Sequence, residues 1–239
     1  MRGWCACAAV GEGMEVMGGS LKLGILGGTF DPVHLAHLRM ALEAAEDLDL
    51  ARVDLVPAAA PPHKAGRAVA SFDDRLAMIR LAVEDTPRLG VLDLEGRRRG
   101  ASYTILTLQD LHARHAGDLD LYFVLGADAF LDIATWKDHR SLFDYAHFVL
   151  MERPGVPPER LERFLESPAL GLERTGPDTY RMPDSGNRLI RRRGTAMDIS
   201  SSRIRDAVAA GRSVRFLVPR AVETYILEKG LYRFHGESR

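Results

Sequence analysis

A chain of 239 residues with 46% hydrophobic content can bury a full core in one domain, and its 32 Lys and Arg are balanced by 33 Asp and Glu. That balance leaves no global positive field to hold nucleic acid by counterion release, and no apolar run approaches the roughly 18 residues of a membrane-spanning helix. No internal repeat of fixed period is visible, so a solenoid is excluded as well.

Residues 1–20 hold both cysteines, Cys5 and Cys7, and read as a disordered leader or a start-site artefact, with Met14 and Met17 as alternative starts. The apolar stretch from Trp4 to Val10 has only the minimum length of a signal peptide and soon meets Glu12 and Glu15. The cysteine-free remainder has no disulfide framework, which fits a reducing cytoplasm. Residues 21–233 read as a single domain and 234–239 as a tail.

Leu21 to Leu26 is an apolar run of strand length that meets the adjacent glycines Gly27 and Gly28, where the backbone can turn and approach a ligand. Pro32 ends the turn, and Leu35, Leu38, Leu42, Ala45 and Leu48 then recur with helical spacing. A helix start is an anion site, because its first N–H groups lack partners and the dipole end is positive. His34 and His37, three apart at that end, place two imidazoles on one face and point to phosphate. Zinc is disfavoured because the two-histidine helix motif spaces its ligands four apart with a Glu between, and no G-x-G-x-x-G dinucleotide fingerprint can be laid on Gly24, Gly27 and Gly28.

Arg52 to Pro57 reads as a second strand, followed by a Pro- and Ala-rich loop from Ala58 to Ala70 in which Pro61-Pro62-His63-Lys64 sets a basic pair on a stiff stem. Such loops are common on surfaces, but directly after a strand of an open α/β sheet they lie at the ligand edge, where a Lys reaches phosphate. Ser71 caps a helix with Asp73 and Asp74 in its first turn and Leu76, Ile79, Leu81 and Val83 along it. Val91 to Leu94 reads as a third strand. Arg97, Arg98 and Arg99 form a run that is ordinarily a solvated face, and Ser102-Tyr103-Thr104-Ile105 opens a helix to about His115.

Leu121 to Leu125 is the strongest strand run and ends in Gly126-Ala127-Asp128, a carboxylate placed to hold sugar hydroxyls. Trp136, either core or a stacking face for a cationic ring, lies in a short helical stretch. His147 to Met151 is a fifth strand closed by Arg153-Pro154-Gly155. A charged amphipathic helix follows from Pro158 to Glu166, then a Gly/Pro-rich stretch with no assignable period. Arg188 to Arg193 reads as basic edge structure. Asp198-Ile199-Ser200-Ser201-Ser202-Arg203-Ile204-Arg205 opens a helix whose serines are either ordinary caps or, with free amides and Arg205, a phosphate clamp. The final helix, about Pro219 to Lys229, ends at Gly230.

With GGTFDPVHLAH, PPHK, SYTILTL, GADAFLDIATW, AHFVLMERPG, DISSSRIR and VPRAVETYILEKGLY in this order, the chain from about Leu23 to Arg233 resembles the bacterial nicotinate-nucleotide adenylyltransferases of the nucleotidyltransferase superfamily. The resemblance implies an α/β, Rossmann-like doubly wound parallel sheet with a helical C-terminal portion. It implies adenylyl transfer from ATP to nicotinate mononucleotide, with Mg²⁺ carried by the ATP phosphates and no metal cage built from protein. Gly27, Gly28, Thr29 and Phe30 would wrap ATP, with His34 and His37 on its phosphates and Ser200, Ser202 and Arg205 on the β and γ phosphates. His63 and Lys64 would face the mononucleotide phosphate, Asp128 its ribose, Trp136 its pyridine ring, and Thr104 with amides near Ile105 its carboxylate. His34, His37, Lys64 and Arg205 would share the transition-state charge.

The sequence departs from the family pattern twice: Ala36 stands where H-x-G-H has Gly, and Leu106 where SYTxDTL has Asp. A sibling enzyme acting on nicotinamide mononucleotide or phosphopantetheine shares the ATP machinery, and a non-catalytic nucleotide-sensing module and a nucleic-acid binder are the rivals from other classes. The partners implied are small molecules, with neither nucleic acid nor membrane among them. Homo-oligomer formation is left open.

Overall fold

The computed structural model describes residues 20–60, 70–98, 100–115, 119–152 and 155–233. The leader and tail readings therefore lie outside the described residues, apart from Ser20. Strand β1 (Leu21–Gly28) leads into helix α1 (Leu35–Asp47), β2 (Arg52–Pro57), α2 (Phe72–Val83), β3 (Leu89–Val91) and α3 (Thr104–Arg114). Then follow β4 (Leu119–Gly126), α4 (Ala127–Phe130), α5 (Leu142–Tyr145), β5 (His147–Glu152) and α6 (Pro158–Leu165). The chain continues through β6 (Glu173–Gly176), β7 (Thr179–Arg181), β8 (Arg188–Arg193), α7 (Ser201–Ala209) and α8 (Arg220–Glu228).

These strands form one eight-stranded sheet in the order β3-β2-β1-β4-β5-β8-β7-β6. The run from β3 to β8 is parallel, and β7 and β6 are added antiparallel at one edge. The chain moves outward from β1 to β2 and β3, then returns to lay β4 on the other side of β1. The sheet thus has a switch point between β1 and β4, where the carboxyl ends of adjacent strands open a crevice.

Strand alternation sends side chains to two cores, as a doubly wound sheet requires. Leu26, Val53 and Val124 pack on one face with Ala41, Ala44, Met78, Ile79, Ile204 and Val222 from α1, α2, α7 and α8. Ile25, Phe123, Leu125 and Phe148 pack on the other with Ile105, Leu108, Phe130, Phe143 and Leu161 from α3 to α6. Among the described residues no helix is long and apolar enough to cross a membrane.

The helix expected from Leu35 onward is present as α1, and its inward face is Ala36, Met40, Ala41, Ala44 and Ala45; small side chains let the helix lie close to the sheet, and Leu38 and Leu48 pack at the margin. Two readings need correction. The third strand sits at Leu89–Val91, ahead of the expected Val91 to Leu94, and Leu94 is spent on the opposite core. Arg188–Arg193 is no edge: β8 lies between β5 and β7, with Leu189 and Ile190 buried. Its Arg191, 8% exposed, is neutralised by Glu152 at 2.7 Å and by Glu162 of α6. The unplaced stretch before it supplies the β6–β7 hairpin that covers its outer side.

Candidate active site

At the switch point, a cavity of about 360 Å³ opens above the carboxyl ends of β1 and β4. Gly27, Gly28, Thr29 and His37 line one part, and Tyr103, Thr104, Asp128 and Trp136 line another, so seven of the predicted site residues (Gly27, Gly28, Thr29, His37, Thr104, Asp128, Trp136) share a single space.

The glycine bend owes its shape to what packs beneath it. A Cβ on Gly28 would come within 3.0 Å of the Phe30 ring, whereas one on Gly27 would meet only Phe123 at 3.4 Å, an ordinary contact. A side chain at position 28 would thus press on the buried Phe30 ring, whereas position 27 borders the cavity with room for a Cβ. Phe30 holds a left-handed φ of 50°, a costly conformation for a bulky residue that turns its ring inward to 2% exposure. That ring meets His37 edge-on at 5.0 Å. Phe30 therefore supports the bend from below, and its side chain is not part of the cavity wall.

His34 is the N-cap residue of α1, in extended conformation, and His37 stands in the first turn. The rings stack at 3.6 Å, and the His34 amide donates to His37 Nδ1 at 3.3 Å. A neutral His37 then carries its proton on Nε2. His37 is the ring that lines the cavity, while His34, 2% exposed, lies behind it.

Asp31 ties distant pieces to this bend. Its carboxylate, 2% exposed, accepts from the Ala70 amide at 3.1 Å and the Tyr232 hydroxyl at 2.8 Å. Arg205 donates to the Asp31 carbonyl at 2.7 Å and lies 3.5 Å from its carboxylate. Burial, then the adjacent Asp31, pushes the Tyr232 hydroxyl pKa upward. Ser201 Oγ donates to the Pro32 carbonyl at 3.0 Å, Ser200 caps α7 by accepting from the Arg203 amide, and Ser202 Oγ accepts from Arg205 at 3.4 Å. The serine-arginine turn is thereby docked against the bend just ahead of His34; Ser200, Ser202 and Arg205 do not line the cavity themselves.

On the other side Ser102 fastens α3 to the loop leaving β2: its amide donates to the Ala60 carbonyl at 3.1 Å and its Oγ accepts from the Ala60 amide at 3.0 Å. Thr104 begins α3, and Ile105 is buried in the core. Trp136 is half-buried, edge-to-face with Phe123 at 6.1 Å, and the Lys137 ammonium lies 4.9 Å from the Tyr103 ring. His63 and Lys64, like Arg99, lie outside the described residues.

Sequence reasoning missed Asp31, Arg75, Glu95 and Tyr232. Glu95 is 8% exposed and lines the cavity; Thr107 Oγ1 donates to its Oε1 at 2.9 Å. Its Oε2 is buried with no hydrogen-bond partner among the described residues. The available signal was slight: an acid directly after Leu94, with Asp93 two residues before it.

Known proteins are similar to this chain in sequence and in fold. The Cytidylyltransferase-like family model matches residues 25–207. The probable nicotinate-nucleotide adenylyltransferase of Geotalea daltonii is 43% identical over 215 residues, covering 89% of this chain and 98% of that protein. The protein of the same name from Citrifermentans bemidjiense is 46% identical over 213 residues, with 89% and 98% covered. In fold, the chain is similar to the nicotinic acid mononucleotide adenylyltransferase of Plasmodium falciparum complexed with NaAD, at TM-score 0.68 and 18% identity over 88% of this chain and 97% of that one. The same Plasmodium enzyme complexed with APC gives TM-score 0.66 at 18% identity, covering 88% and 96%. By its matched family model and by relatives aligned over nearly their whole length, the chain belongs to the cytidylyltransferase-like family and, within it, to the nicotinate-nucleotide adenylyltransferases.

Proposed function

We propose that this chain transfers the adenylyl group of ATP to nicotinate mononucleotide, forming deamido-NAD and pyrophosphate. The observation that carries the reading is one continuous cavity with a glycine bend and an imidazole at one part and Thr104, Asp128 and Trp136 at another. A phosphate-binding end beside a flat-ring end fits two nucleotides that meet through their phosphates. The names of the relatives point to the same acceptor. Residues 21–233 act in this reading as one catalytic unit, placed in the cytoplasm because the body of the chain has no cysteine.

Gly27, Gly28, Thr29 and the main chain at Phe30 wrap ATP, and His37 faces its phosphates with His34 stacked behind. Ser200, Ser202 and Arg205 hold the β and γ phosphates. His63 and Lys64 take the acceptor phosphate, Asp128 its ribose, Trp136 its pyridine ring, and Thr104 with the amide near Ile105 its carboxylate.

An oxygen of the acceptor phosphate attacks the α-phosphorus; the new O–P bond forms as the bond from that phosphorus to the bridging oxygen breaks, and pyrophosphate leaves with the electron pair. The attacking oxygen is already an anion, so no side chain has to remove a proton. The protein supplies alignment of two polyanions and positive charge at the reacting phosphates, the share of His37, Lys64 and Arg205. Mg²⁺, bound to ATP as part of the substrate, would supply further positive charge at the phosphates. In this reading the ion would be held mainly by phosphate and water oxygens, as Mg²⁺ prefers.

The test is pyrophosphate release from ATP with nicotinate mononucleotide, nicotinamide mononucleotide and phosphopantetheine in turn. The fastest release is expected with the nicotinate acceptor. Faster release with either other acceptor makes the chain a sibling enzyme, and ATP binding without release makes it a nucleotide-sensing module.

A further inference from the structure

Arg75, in the first turns of α2, is 2% exposed. Its guanidinium donates to the carbonyls of Ala58 at 2.7 Å, Thr29 at 2.8 Å, Ala70 at 3.1 Å and Ala59 at 3.4 Å. The carboxylates of Asp31 and Glu95 act on it through space, and burial lowers its pKa. The Phe72 ring lies 5.6 Å from the guanidinium carbon.

Those four carbonyls come from three separate stretches of chain. Thr29 belongs to the glycine bend, Ala58 and Ala59 to the segment leaving β2, and Ala70 to the approach to α2. Thr29 and Ala58 are both in the cavity wall, and the Ala58 amide also donates to the Gly28 carbonyl at 2.8 Å. Neither the sheet nor α2 needs this side chain for its own hydrogen bonds, since every acceptor is a loop carbonyl. A planar guanidinium with five donors can meet four carbonyls converging from different directions, which the three donors of an ammonium, all on one atom, cannot do.

We propose that Arg75 is a positioning residue: it fixes the glycine bend, where the triphosphate sits, against the loop leaving β2, so that the two reacting phosphates meet in line. The proposal rests on the adenylyl-transfer reading above. Because Arg75 sets alignment and touches neither substrate, its loss acts on the rate at saturation rather than on the binding of either one. A misplacement of about 1 Å costs on the order of 10²-fold in rate.

Two variants separate shape from charge. Arg75→Lys keeps the positive charge on a single point, and Arg75→Gln removes it. With purified full-length protein, kcat, the Michaelis constants for ATP and nicotinate mononucleotide, and the melting midpoint are measured for each. The expected result is a cooperative melting transition in Arg75→Lys, both Michaelis constants within about threefold of the parent, and kcat lower by about 10²-fold. Arg75→Gln loses at least as much. Parental kcat in Arg75→Lys overturns the proposal, as does a raised Michaelis constant with unchanged kcat. Loss of cooperative melting in both variants also counts against it, because Arg75 would then be a residue of the fold. A parent protein that releases no pyrophosphate with any acceptor defeats the activity itself; an active parent with an unimpaired Arg75→Lys variant defeats this inference alone.

Discussion

His37 is oriented from three sides: the His34 ring stacks on one face, Phe30 meets it edge-on, and its Nδ1 accepts from the His34 amide. An imidazole held this firmly gives up little freedom when charge develops at a phosphate beside it. His37→Ala is expected to lower kcat by about 10²-fold or more, with the melting midpoint within a few degrees of the parent; steady-state kinetics and a thermal scan check both halves. Trp136 makes a T-shaped contact with Phe123, packs partly against the core and lines the cavity. Trp136→Ala should raise the Michaelis constant for the mononucleotide by about 10-fold, the scale of one lost aromatic stack, and leave that for ATP in place. A drop in stability instead would make Trp136 a core residue.

The elements around the bend depend on side chains from far along the chain. Tyr232 reaches Asp31 across 201 positions and Arg205 across 174. Tyr232→Phe removes one buried hydrogen bond and leaves the Ala70 amide on the same carboxylate; a loss of about 1 kcal/mol is expected, seen as a shift in a denaturation midpoint at unchanged slope. What could be foreseen in the sequence divides along the same line. Strands β1, β2, β4 and β5 were visible because buried parallel strands read as continuous apolar runs, and the two histidines because they are neighbours on one helix. In β8 the apolar Leu189 and Ile190 are masked by arginines, one of which is buried and paired with acids from other elements. Strands β6 and β7 are too short, and too charged, to show a period. Asp31 and Tyr232 left no local trace because what they bind is far away in sequence, and Arg75 left none because its hydrogen-bond partners are entirely main chain, which carries no sequence signal.

At the scale of the whole molecule, the two ends of the sheet carry different chemistry. The cleft lies at the carboxyl ends of the strands, while at the opposite ends His147 Nε2 meets Asp120 at 2.9 Å and its Nδ1 accepts from the Arg188 amide at 2.9 Å. Tyr122 donates to the same Asp120 at 3.0 Å. Burial depresses the His147 pKa below its ordinary 6.5, the Arg188 charge adds to that, and Asp120 opposes it. Below pH 6.5 the unfolded chain binds a proton that the folded chain refuses, so stability falls with pH until the folded pKa is reached. The melting midpoint should therefore decline more steeply between pH 7.5 and 5.5 (about one unit either side of the ordinary value) in the parent than in His147→Gln. Equal slopes would assign the acid sensitivity elsewhere.

The ties on Asp31 also order events during synthesis. The bend is made early, yet two of its braces come from Arg205 and Tyr232, which leave the ribosome long after it. A chain that lacked both residues would keep the Ala70 amide on the Asp31 carboxylate and lose the other two ties. The bend is fully braced only once both of these later stretches have been made.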